Sequence, residues 1–166
     1  MLRKGFQEMT TYIKNTKKFQ GAGKLLLSQS PLKLGDHCQA QFCRSLASGN
    51  SLEQTAQLKA RLLCAEIVTY RVGTDDTTVR QIVFEQPLET QSVPTGTQTI
   101  EYTATLKIPS NATPSFEAKH NRILWQVEVK VEFDPVILQQ KNTNKDPWVE
   151  DGTLSTFAFS VDPEVV

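Results

Sequence analysis

A chain of 166 residues with 39% hydrophobic and 22% charged side chains fits a single folded domain, long enough to bury a core without a metal or disulfide staple. Eighteen basic and eighteen acidic residues leave a formal net charge of zero, so no global field gathers nucleic acid around it. No apolar run approaches the roughly 18 residues that a spanning helix needs, and no apolar signal core stands at the start, so neither a membrane span nor a signal peptide is expected. Locally the balance tips: Arg3, Lys4, Lys14, Lys17 and Lys18 face only Glu8 in the first twenty residues. Residues 1–22 are therefore read as a basic flank or short helix around Phe6–Ile13, either solvated or lying near an anionic leaflet.

From residue 23 to 166 the pattern is that of strands in one domain. Gly23–Pro31 is a short apolar run closed by Ser and Pro. Leu32–Leu46 alternates Cys38, Ala40 and Phe42 against His37, Gln39 and Gln41, and a Ser-Gly-Asn-Ser turn follows. Gln57–Val72 sets Leu58, Ala60, Leu62 and Cys64 against Gln57, Lys59 and Arg61, the pattern of one buried and one wet face. The turn residues Gly73–Asp76 join it to Thr78–Gln86 as a hairpin. Thr99–Ile108 places Ile100, Tyr102, Ala104, Leu106 and Ile108 on one side. A loop with two prolines then leads to Ile123–Phe133, where Ile123, Trp125, Val127, Val129, Val131 and Phe133 alternate with Leu124, Gln126, Glu128, Lys130 and Glu132. A helical period would scatter those six large side chains around a cylinder, so this is a strand. After a polar linker at Gln139–Pro147, Thr153–Val161 is the last strand. Seven or eight strands with turns between them predict an all-β, antiparallel β-sandwich.

Ile108 and Pro109, then Pro114, Ser115, Phe116 and Glu117, then Ile123, Trp125, Val127 and Val129 resemble a stretch of arrestin-like domains. Pro31 and Gly35 match that family's strand lead-in, while Ala118 and His120 stand where its loop carries a small glycine. The resemblance covers roughly residues 23–161, is most specific at 106–133, and extends to soluble domains of bacterial proteins, some membrane-associated. It implies an immunoglobulin-like sandwich, of which this length fits one where arrestins proper have two, and a scaffolding, protein-binding role, without naming the partner or any binding residue.

Chemistry has few candidates. Cys38 and Cys43, five apart in a strand, point to opposite faces and cannot share an ion with His37, so no metal or other cofactor is expected. Cys38 and Cys64 read as small core residues, able to bridge in an oxidising compartment; the odd cysteine count favours a reducing, cytoplasmic one. No nucleophile elbow, phosphate loop or calcium loop is present, which leaves an enzyme using Cys43 or His120 as a minor alternative to a non-catalytic interaction module. Interaction residues are expected in the loop 110–121 and the segment 139–152: Phe116, Glu117, His120 and Trp148, the last either a plug at an open end of the sandwich or an anchor for a protein partner. An accessory or sensory domain of a membrane-associated protein is the other reading.

Overall fold

The computed structural model describes residues 19–133 and 148–163; the expectations for residues 1–18 and for the linker before Trp148 lie outside them. Eleven strands are present among the described residues, in the order β1 (Lys24–Leu27), β2 (Leu32–Lys33), β3 (His37–Ser45), β4 (Ala56–Val72), β5 (Asp75–Pro87), β6 (Gln91–Val93), β7 (Thr99–Lys107), β8 (Phe116–Glu117), β9 (Asn121–Phe133), β10 (Leu154–Phe159) and β11 (Val161–Asp162). One sheet runs β1-β3-β7 and the other β10-β9-β4-β5, with β6 beside β4 and β8 beside β9, all antiparallel. The fold is an antiparallel β-sandwich. Its additional short pieces, β2, β6, β8 and β11, are two or three residues long, below the length at which alternation can register in a sequence. β2 and β11 pair in parallel, Val161 opposite Leu32, and tie the last described strand to the first turn of the domain.

Period-2 patterning places the core. Cys38, Ala40, Phe42, Ile100, Tyr102 and Leu106 of the smaller sheet meet Leu58, Leu62, Cys64, Trp125, Val127 and Val129 of the larger, all buried. Phe42 and Phe157 close this contact edge to face, with ring centroids 5.8 Å apart. The long loop after β7 is the crossing from one sheet to the other, and its carbonyl at Thr113 accepts a 2.8 Å hydrogen bond from Trp125 Nε1. A loop rich in Pro and Ser can make that crossing because its polar groups are taken up: Ser115 N donates to Val161 O at 2.7 Å, and Val161 N donates to Ser115 Oγ at 2.8 Å.

Arg44 occupies the last inward position of β3 at one end of the sandwich. Its Nε donates to Gly21 O and its Nη2 to Gly152 O, at 2.9 and 2.7 Å, while the guanidinium lies 4.0 Å from the Phe19 ring centre. Burial lowers its pKa, opposed by Asp151 nearby. Phe19 itself bridges to Leu46 and packs on Phe133, so the chain joins the sandwich four residues before residue 23. Gly23, at φ +90°, leaves 2.5 Å between a would-be Cβ and the Cys43 carbonyl; only glycine lets the backbone pass there.

One expectation is corrected. The face of β4 opposite the core is wet only at its start: Gln57 and Lys59 are half-buried, but Arg61, Leu63 and Ala65 are buried, as are Glu128 and Glu132 on β9. The two middle strands of a sheet are covered when long side chains reach over them from the edge, and here Arg80 of β5 donates to Gln126 Oε1 and Glu128 Oε1 at 3.0 and 3.4 Å. Trp148 adds to this cover.

Candidate functional site

The β4–β5 hairpin outruns the rest of its sheet. β9 begins at Asn121, opposite Val68, whereas β4 and β5 continue paired to Val72 and Asp75 and turn through Gly73, whose φ of 66° suits a two-residue hairpin loop. Residues opposite one another in an antiparallel ladder share a face. Register therefore carries the core-side face of the large sheet outward from Phe116 and Ile123, past Glu66 and Asn121, to Val68, Val79, Tyr70 and Val72. Beyond the cover of the smaller sheet these side chains meet solvent: Phe116 is 52% exposed, Tyr70 46%, Val72 58% and Val79 45%.

Phe116 and Glu117 form β8, held beside β9 by a tight turn in which Ala118 N donates to Asn121 O. His120 sits in that turn, exposed, and its carbonyl accepts from Thr69 N at 2.9 Å, which docks the turn on β4. Between β8 and β10 an open groove of about 360 Å³ is lined by Ser115, Phe116, Ile123, Leu124, Phe159 and Ser160. A second open cleft, of about 490 Å³, lies between the edges of β5 and β7, with Phe84 and Ile108 among its lining residues and His37, Glu85 and Lys107 at its rim.

Trp148 is elsewhere. It lies 4.5 Å above the Arg61 guanidinium, on the face of the large sheet opposite Phe116, and so does not plug an open end. Arg61 in turn pairs with Glu128 and Glu85 at 3.2 and 3.3 Å. Glu128 lies five residues from Ile123, the partner of Phe116, which separates the two aromatic positions by about 17 Å along the strand. The structure thus groups Phe116, Glu117 and His120, and leaves Trp148 apart. Tyr70, Val72 and Val79 escaped sequence reasoning, because period-2 alternation says which residues share a face and not how far the facing sheet extends.

All three cysteines are free thiols. Cys43 is exposed on the outer face of β3, between Lys24 and Glu101 on the neighbouring strands. His37 lies on the same strand face six residues away, about 20 Å, and His120 belongs to a turn of the other sheet. Among the described residues no three His, Cys, Asp or Glu side chains form a metal-holding group. Cys64 is buried and its thiol is pushed up to about 11. Tyr102, whose hydroxyl donates to Glu89 O at 2.6 Å, is pushed up to about 12 by burial and then by the Glu89 charge. Both groups start from ordinary values of 9.0 and 10.0, so the unfolded chain releases these protons while the folded chain still holds them. Their contribution is therefore constant below about pH 9, and stability is expected to fall as pH rises from there toward 12. Urea midpoints near neutrality and at about pH 11 check this; an equal or higher midpoint in alkali would contradict it.

No family model matches the chain, and no curated protein matches it. Among solved structures, the sporulation control protein Spo0M from Bacillus subtilis is similar, with 10% sequence identity and a TM-score of 0.48. The likeness covers 89% of this chain and 51% of Spo0M, so the chain spans about half the length of that structure.

Proposed function

We propose that this β-sandwich is a non-catalytic protein-interaction module that receives an apolar segment of a partner protein on the free end of its large sheet, with Phe116 as the anchor. The observation that carries this reading is the set of exposed Phe116, Tyr70, Val72 and Val79 on one sheet face, with Glu66 and Asn121 between Phe116 and the other three. Single exposed apolar residues are ordinary on soluble proteins, but three clustered on one overhanging hairpin, with an aromatic beside a groove on the same face, are the pattern of a contact surface. The arrestin-like resemblance of residues 106–133 agrees with a binding role. Glu66 and Asn121 supply polar groups on this face and His120 sits in the adjoining turn, while Glu117, next to Phe116 in β8, faces the other side of the sheet.

A photo-crosslinking side chain placed at position 116 tests the proposal in the source cells, beside the same group at the exposed Thr105 on the smaller sheet. Crosslinks to one protein from 116 and not from 105 are expected, and Tyr70→Ser should reduce their yield. Equal products from both positions would refute the assignment.

A further inference from the structure

Strand β5 is the outer strand of the large sheet among the described residues, and its two halves are built differently. Toward the sandwich its edge is blunted by a bulge at Val83 and by Pro87, which has no N–H to offer. From Asp76 to Ile82 neither device is present. Thr69 N bonds to His120 O on the β9 side, so the alternate residues Val68, Tyr70 and Val72 bond to Val79, Thr77 and Asp75 on the β5 side. The backbone N–H and C=O groups of Asp76, Thr78, Arg80 and Ile82 therefore point away from the sheet. Asp76, Thr78 and Arg80 are exposed.

We infer that this edge pairs with the same edge of a second copy of the chain, antiparallel and centred on Thr78, joining two hairpins into one four-stranded arm. This goes beyond the interaction surface proposed above. Charge selects the register. A two-fold axis at Thr78 sets Asp76 opposite Arg80 of the second copy, and Arg80 opposite its Asp76; an axis at Arg80 would oppose two arginines, and one at Asp76 two aspartates. Among the described residues of its own chain Asp76 makes a 3.7 Å contact to Arg71, both largely exposed, a weak pair that the second copy's arginine can replace. Arg80 spends one guanidinium nitrogen on Gln126 and Glu128 and its side chain is 43% exposed.

Packing favours the same union. A two-stranded ribbon that extends past its sheet is marginal in water, and this one bears Tyr70, Val72 and Val79 on one face. Pairing brings Thr77 of the second copy beside Val79 and sets the two apolar faces side by side. Among the described residues β7 is another long edge, and it also offers opposite charges at Glu101 and Lys107. Its inward residues Ile100, Tyr102 and Leu106 are already buried, so pairing there would cover no new apolar surface.

Sedimentation of the full chain over a range of concentrations tests the inference. A mass of two chains is expected for the wild type and of one for Thr78→Pro, which removes an outward N–H and leaves the bonds to β4 in place; thermal unfolding confirms that the variant is folded. Asp76→Lys alone and Arg80→Asp alone should each weaken association roughly tenfold or more, because each sets like charges face to face twice. An equimolar mixture of those two variants should associate again, since both cross-pairs are then of opposite sign. A wild type that stays monomeric, a dimer that survives Thr78→Pro, or a mixture no tighter than its components would overturn the inference. None of these results bears on crosslinking at position 116, which remains exposed in the Thr78→Pro chain.

Discussion

Trp125→Ala is expected to destabilise the fold by about 3–5 kcal/mol, the range for truncating a large aromatic in a packed core. Trp125 is fully buried in β9, between Cys64 on β4 and Phe159 on β10, with the Phe84 ring centroid 5.6 Å away. Alanine leaves a cavity that rigid neighbouring strands cannot close. It also strands the Thr113 carbonyl, whose hydrogen bond to the indole holds the crossing loop against the core. Trp125→Phe separates the two effects: most of the volume stays, the donor goes, and a loss of about 1–2 kcal/mol is expected. Urea denaturation followed by circular dichroism measures both, and a loss below about 1 kcal/mol for the alanine variant would show that this end of the sandwich is not packed as described.

The second large effect concerns the covered face of β4. Arg61→Ala should lower stability by about 3 kcal/mol, because Glu128, with a side chain only 4% exposed, is left with Arg80 alone as a cationic partner. Glu85 contributes little to this loss, being 41% exposed at its end of the pair. Removing both buried charges together is different. Arg61→Met with Glu128→Leu restores apolar volume without an uncompensated ion, and should fall within about 1 kcal/mol of the wild type. The double-mutant cycle in urea gives the coupling directly. A single Arg61→Ala as stable as the wild type would mean that water reaches Glu128 and that Trp148 does not shield this face.

These two sites differ in how legible they are. Trp125 stands in an unbroken alternation from Ile123 to Phe133, and its place in the core follows from the two-residue period alone. Arg61 follows the same rule and breaks it: alternation points its side chain away from the core correctly, yet burial of that side chain depends on Arg80 and Trp148, distant in sequence, arriving over it. Phe116 is intermediate. Its loop and exposure are readable from the proline and serine punctuation around it, whereas its apolar neighbours Tyr70, Val72 and Val79 come from a hairpin whose overhang no local pattern announces.

The all-β class, the long strands, their inward residues and the hairpin turn at Gly73 can be read from local sequence, because each depends on steric preferences and periodicity within a few consecutive residues. Which strands distant in the chain are neighbours, where the small sheet stops covering the large one, and that Trp148 and Phe116 lie on opposite faces emerge with the packed fold alone. Those outcomes are set by contacts between segments far apart in the chain. A period of two carries which side a residue faces and nothing about what stands opposite it.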